Sequence, residues 1–303
     1  MKKIVVSFLF SLFFIALLKS NTDVDIVIYS YHRPMQLYTL LESIHCHMSG
    51  YNTIHVIYRA DSQEFEEAYS LVENDFSKTF FYKQSKNPVA DFKLLTLEVF
   101  NKKASYIMFA VDDIIVKDSV DLQECVQALQ KTKAFGFYLR LGTNLSYCYP
   151  TSTNQKVPPL KSIDNYVYSW DFYAAHYDWR LPFNVDMTLY AKKTISSLVT
   201  QLNYTTPNTL EAYSSNATRA VIREQSGICF LHSKIVNIPL NIIQRDYPAN
   251  NNLNKYSINE LLKLFQEGYI FDIQSVQGVM NHSAHADIPL KIIHRRSNGE
   301  HGL

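Results

Sequence analysis

The sequence predicts an α/β fold with a mostly parallel central sheet flanked by helices, followed by a mixed α+β second half. Three observations carry this. From Asp25 onward, strand-like and helix-like segments alternate, which is the pattern of helices packed on a parallel sheet. Tyr106 to Val111 is apolar at nearly every position, as expected for a strand buried on both faces. After about Gly142 the alternation stops, and proline-rich loop and dense aromatic stretches take its place.

Ile26 to Tyr31 is a β-branched and aromatic run that reads as the first strand. Pro34 then stands at a first helical position, and Leu37, Leu40, Leu41, Ile44 and Met48 follow at helical spacing until Ser49 and Gly50 end the helix. Ile54 to Tyr58 is the second strand. Asp61 with Glu64 three residues on has the capping-box pattern, and Phe65, Ala68, Tyr69 and Val72 form one helical face. Thr79 to Tyr82 is a short third strand, and Asp91 opens a helix carrying Phe92, Leu95 and Val99. In the second half, Thr188 to Ala191 reads as a strand leading into a helix from Lys193 to Gln201. Asn208 or Thr209 caps another helix, Ile228 to Ile238 is β-like, and a last helix from Asn259 to Gln266 stops at Gly268.

The chain has 303 residues, with 29 basic against 28 acidic side chains, so it lacks the positive field that a nucleic-acid partner requires. Hydrophobic residues make up 47% and charged ones 19%, which excludes a disordered chain. The eight glycines are scattered and no two are separated by a single residue, so the G-x-G-x-x-G fingerprint and the Walker loop are both absent. Lys2 and Lys3 precede an apolar run from Ile4 to Leu18, and residues 1–20 read as a signal peptide or signal anchor. Export or membrane association is the expected localisation. The four cysteines form no C-x-x-C pair and give neither a zinc nor a redox motif.

The sharpest chemical signal is Asp112-Asp113 directly after the apolar strand. Ligands of open α/β sheets bind beyond the carboxyl ends of the strands, and this strand delivers two carboxylates to that edge. Two adjacent carboxylates repel, and a hard divalent cation is the simplest way to hold them together; capping of the next turn is the other reading.

These residues resemble glycosyltransferases of the GT-A fold, particularly family 2. Ser30-Tyr31-His32-Arg33-Pro34 with Leu37, Leu40 and Ser43 is similar to their opening strand and helix, and Tyr106 to Asp113 is similar to their metal-binding strand. The sequence departs at Val111, where many relatives carry another aspartate. The resemblance implies a nucleotide-sugar-binding half at 24–142 and an acceptor-binding half at 143–303. It implies Mn2+ or Mg2+ held by Asp113 and Asp112 with His285, and nucleotide-sugar contacts from Tyr31, Arg33, Arg59 and Asp61. It also implies a base at Glu211, in the helix start Pro207-Asn208-Thr209-Leu210-Glu211, with Asp186 behind it. Trp170, Asp171 and Trp179 are the acceptor-binding residues expected from the aromatic stretch.

The expected reaction moves a sugar from a nucleotide-diphosphate sugar to a hydroxyl on a glycan, lipid or protein, with inversion. The alternatives are a sugar-binding relative without turnover, and a nucleotidyltransferase, for which this chain lacks the glycine-rich loop.

Overall fold

The computed structural model describes residues 23–219, 222–241 and 256–295. The segment 1–20 read as a signal peptide or anchor lies outside the described residues.

The first half alternates as expected: β1 Val24–Tyr31, α1 Pro34–His47, β2 Thr53–Arg59, α2 Gln63–Asp75, β3 Phe80–Lys83, α3 Pro88–Phe100 and β4 Tyr106–Val111. Next come α4 Leu122–Thr132 and β5 Gly136–Tyr138. The second half adds β6 Lys161–Ser162, β7 Val167–Asp171, β8 Thr188–Ala191, α5 Lys192–Gln201, α6 Pro207–Thr218, β9 Ser226–Phe230 and α7 Ile258–Gln266.

Among the described residues nine strands form one sheet, in the order β6-β7-β9-β5-β8-β4-β1-β2-β3. β4, β1, β2 and β3 pair in parallel, as do β5 and β9, while β8 and β7 run against their neighbours. The mostly parallel α/β sheet is the predicted one.

Burial explains why these segments are strands. Along β1, Val24, Ile26 and Ile28 pack into one core with α1, α2 and α7, while Val27 and Tyr29 pack into a second core with α3, α5 and the aromatic stretch. β4 divides the same way, Met108 and Ala110 facing one core and Ile107 and Phe109 the other. A period of two with both faces apolar produces the continuous hydrophobic run seen in the sequence.

Several local expectations change. Ser62, not Asp61, is the N-cap of α2, because the Asp61 carboxylate bonds to Tyr31 and Arg59. Asn87 rather than Asp91 precedes α3. The cap of α6 is Thr206, in a reciprocal capping box with Thr209. The β-like run 228–238 divides into β9 and Ile235–Asn237, which pairs instead with Ile114–Val116. All four cysteines are free.

Trp170 and Trp179 are the centre of the second core, 2% and 0% exposed, packed edge to face at 5.0 Å with the Trp170 indole N–H donating to the Trp179 carbonyl. Gly227 on the neighbouring β9 makes room for Trp170: an added Cβ there would lie 2.4 Å from Trp170 Cη2. Gly227→Ala is therefore expected to lower the unfolding free energy by about 1–3 kcal/mol through overpacking, measured by chemical denaturation.

Candidate functional site

The register of the strands assembles the site. In the β1–β2 ladder Tyr31 lies opposite Arg59, and in the β1–β4 ladder Tyr29 lies opposite Val111, so the three strands end together. β8 is antiparallel to β4, with Thr188 opposite Phe109, so the residues just before β8 arrive at that same edge. There Met187 takes φ +50°, a left-handed backbone that a non-glycine residue adopts only at a cost. Met187 is wholly buried while the preceding Asp186 lines the cleft.

A cleft of about 1390 Å³ opens along this edge. Tyr31, Arg33, Arg59, Asp112, Asp113, Asp186, Glu211 and His285, expected from the sequence, all line it. Asp61 stands behind the lining and orients it: its carboxylate accepts from the Tyr31 hydroxyl at 2.8 Å and from Arg59 Nε at 2.7 Å. The Arg59 guanidinium also lies 4.5 Å over the Tyr31 ring. Burial raises the Asp61 pKa, but these hydrogen bonds together with the charges of Arg59 and protonated His32 outweigh it and hold the carboxyl below its usual value. His32, also at positive φ, accepts the Asp61 backbone N–H on Nε2 and stacks on Phe65 with ring centroids 4.1 Å apart. Burial lowers its pKa, so the ring is neutral at pH 7.

Arg33 is at the centre. Its Nη1 donates at 3.0 Å to both Asp112 Oδ1 and Asp113 Oδ2, its Nε donates to Asn241 Oδ1 at 2.9 Å, and Nη2 donates to the Asn241 carbonyl. The remaining carboxylate oxygens are also engaged. Asp112 Oδ2 accepts from the Ser30 hydroxyl at 2.8 Å and the Tyr31 backbone N–H at 3.2 Å, and Asp113 Oδ1 accepts from Asn237 Nδ2 at 2.9 Å. Burial raises the Asp112 pKa to about 6 against the lowering effect of Arg33, and the neighbouring charge of Asp113 adds to the rise.

The cation expected between Asp112 and Asp113 does not fit this donor set, because a guanidinium nitrogen already bridges the two carboxylates. His285 does not turn toward them either; its Nε2 lies 3.7 Å from Asp186 Oδ2. Among the described residues, no group of three His, Cys, Asp or Glu side chains has the geometry of a metal site.

A second cluster lines the same cleft. Glu211 is the fifth residue of α6, beyond the first turn, so the helix N-terminus does not explain its position. Its Oε2 accepts the Val185 backbone N–H at 3.1 Å, which fastens α6 to the segment carrying Asp186. Burial, reinforced by the negative charge of Asp186, pushes its pKa up to about 7, while Arg140, the Val185 hydrogen bond and His285 oppose the rise.

Arg140 was not among the residues that the sequence singled out. It is 2% exposed, donates from Nη1 to Asp178 Oδ1 at 3.1 Å and from Nη2 to the Asp178 carbonyl at 3.0 Å. The charges of Asp178, Asp186 and Glu211 outweigh the burial that disfavours its own. A signal was present: Arg140 is the single charge in the apolar run from Ala134 to Leu141.

The acceptor expectation is corrected. Trp170 and Trp179 are sealed in the core and offer no ring face to a ligand, and Asp171, though exposed, is not among the residues lining the cleft.

No family model matches the chain. Among curated proteins it is similar to the bifunctional glycosyltransferase pgtA of Dictyostelium discoideum, 26% identical over 155 residues, which are 48% of this chain and 20% of that protein. The chain thus spans about a fifth of the length of the curated relative it matches. Among solved structures it overlaps Staphylococcus aureus TarS 1–349 in complex with UDP, with a TM-score of 0.41 and 10% identity over 69% of this chain and 57% of that one. It also overlaps the mannosyltransferase PcManGT of Pyrobaculum calidifontis in complex with GDP-Man and Mn2+, with a TM-score of 0.36 and 8% identity over 58% of this chain and 46% of that one. Overlaps this partial assign neither a donor nor a metal to the chain.

Proposed function

We propose that this protein is a glycosyltransferase that moves a sugar from a nucleotide-diphosphate sugar to an acceptor hydroxyl in the cleft. The observation that carries the reading is Glu211: a carboxyl with its pKa pushed up to about 7, lining the same cleft as a strand-end corner built from Tyr31 and Arg59 and braced by Asp61. A base poised near neutral pH suits a hydroxyl nucleophile. The similarity to a bifunctional glycosyltransferase supports the same class.

In the proposed step the acceptor oxygen attacks the anomeric carbon as its proton passes to Glu211. The bond from that carbon to the diphosphate oxygen breaks, and its electron pair leaves on the diphosphate. A single displacement inverts the anomeric configuration, as in the family the sequence resembles. Tyr31 and Arg59, braced by Asp61, hold the nucleoside, and the cleft cations Arg33, Arg59 and Arg219 face the diphosphate charge. The acceptor is a glycan, lipid or protein hydroxyl. Residues 1–20 direct the chain to export or to a membrane; none of the described helices is long and apolar enough to cross one.

Isothermal titration with UDP and GDP tests donor recognition. Saturable binding of at least one, weakened by Arg59→Ala, is expected; binding of neither rejects the reading. The acid limb of kcat/KM is a second check. Glu211 must be ionised to act, so activity rises with pH through an apparent pKa of about 7. Asp186→Asn removes a like charge, and the limb is expected to move down by about one pH unit. The hydrogen-bonded state of Asp112 and Asp113 favours one other reading, a sugar-binding relative without turnover, which would bind nucleotide and release no product.

A further inference from the structure

We propose that Arg33 is the resident cation of this cleft, and that a nucleoside diphosphate binds here without a divalent metal. The inference rests on the nucleotide-sugar reading above.

The carboxylate oxygens are already engaged within the protein. All four oxygens of Asp112 and Asp113 accept hydrogen bonds: two from Arg33 Nη1, one from Asn237 Nδ2, and a shared pair from the Ser30 hydroxyl and the Tyr31 backbone N–H. A dication placed between Asp112 Oδ1 and Asp113 Oδ2 would have to take the position of Nη1. Arg33 cannot yield it by a simple rotation, because Nε and Nη2 are both anchored on Asn241. A dication on Asp113 alone would sit beside a guanidinium 3.0 Å from the same carboxylate and would be repelled by it.

Ser30 is itself held, 2.7 Å from the buried Tyr69 hydroxyl, so the cluster of Arg33, Asp112 and Asp113 is continuous with the core. A guanidinium has five N–H donors, and among the described residues four of those of Arg33 are engaged, leaving one on Nη2 for a ligand in the cleft that Arg33 lines. A planar cation with a spare donor recognises a phosphate oxygen by geometry and by charge together.

Titration of the full chain with Mn2+ in the absence of nucleotide, followed by electron paramagnetic resonance of the free ion, tests the claim without reference to activity. The wild type is expected to show no saturable site below about 1 mM, whereas Arg33→Ala frees the two carboxylates and tightens Mn2+ binding by about tenfold or more. Arg33→Lys keeps a positive charge and is expected to stay with the wild type. Stoichiometric Mn2+ binding by the wild type that Asp113→Ala abolishes would overturn the proposal, and this comparison stands even if Arg33→Ala fails to fold.

In a second arm, UDP and GDP are titrated in EDTA and again with Mn2+. Dissociation constants within about threefold of each other support the proposal, and tightening by Mn2+ beyond about tenfold contradicts it. If neither nucleotide binds in either buffer, the nucleotide-sugar reading fails, while the Mn2+ titration still decides the cation question.

Discussion

Glu211→Gln is expected to retain nucleotide binding and to lose transfer by about two to four orders of magnitude, the usual contribution of a positioned general base. The substitution keeps the shape of the side chain and an oxygen that can accept the Val185 N–H, so α6 stays fastened to the segment before β8. What it removes is the group that titrates. Single-turnover kinetics beside nucleotide binding separate the two effects: a fall in rate with unchanged dissociation constant is the expected result. Unchanged turnover would take Glu211 out of the proton-transfer role and leave Asp186, which shares the cluster, to be tested in its place.

The second large effect is expected at Arg140. Removing one partner of a buried ion pair leaves the other uncompensated, which costs about 3–5 kcal/mol. In Arg140→Ala the stranded groups are Asp178, bound to Arg140 at 3.1 Å, together with Asp186 and Glu211, whose charges Arg140 offsets. The loss depends on pH with a definite sign. The folded-state pKa of Glu211 lies above its unfolded value, so between the two the folded protein binds more protons and becomes less stable as pH rises. Without Arg140 that pKa rises further. Denaturation at pH 5 and pH 8 is therefore expected to show the variant's deficit largest at pH 8; a deficit equal at both would mean that Arg140 acts by packing alone.

Much of the first half was legible because its signals are local and repeated. Apolar runs with Pro34 at a helix start locate β1, α1 and β4, and a strand followed by Asp112-Asp113 places carboxylates at the ligand edge. What the sequence did not disclose are pairings across long separations. Arg33 and Asp112 lie 79 positions apart, and Arg33 and Asn241 lie 208 apart, so nothing local announces that Arg33 takes the cation's place. Trp170 and Trp179 illustrate the opposite failure. An aromatic-rich stretch with no clean period looks the same whether its rings line a pocket or fill a core, and Gly227, which decides for the core, comes from a distant strand. Asp61 followed by Glu64 satisfied a capping pattern, but the Tyr31 hydroxyl and the Arg59 guanidinium were stronger partners than a helix N–H.

The most direct measurement of the central claim is product formation. The full chain is incubated with UDP-glucose, UDP-N-acetylglucosamine, UDP-galactose and GDP-mannose in turn, and release of UDP or GDP is followed for the wild type and for Glu211→Gln. Release from at least one donor by the wild type, and its loss in the variant, is the expected result. Binding of a nucleotide with no release from any donor, or release at equal rates by both proteins, would contradict the claim.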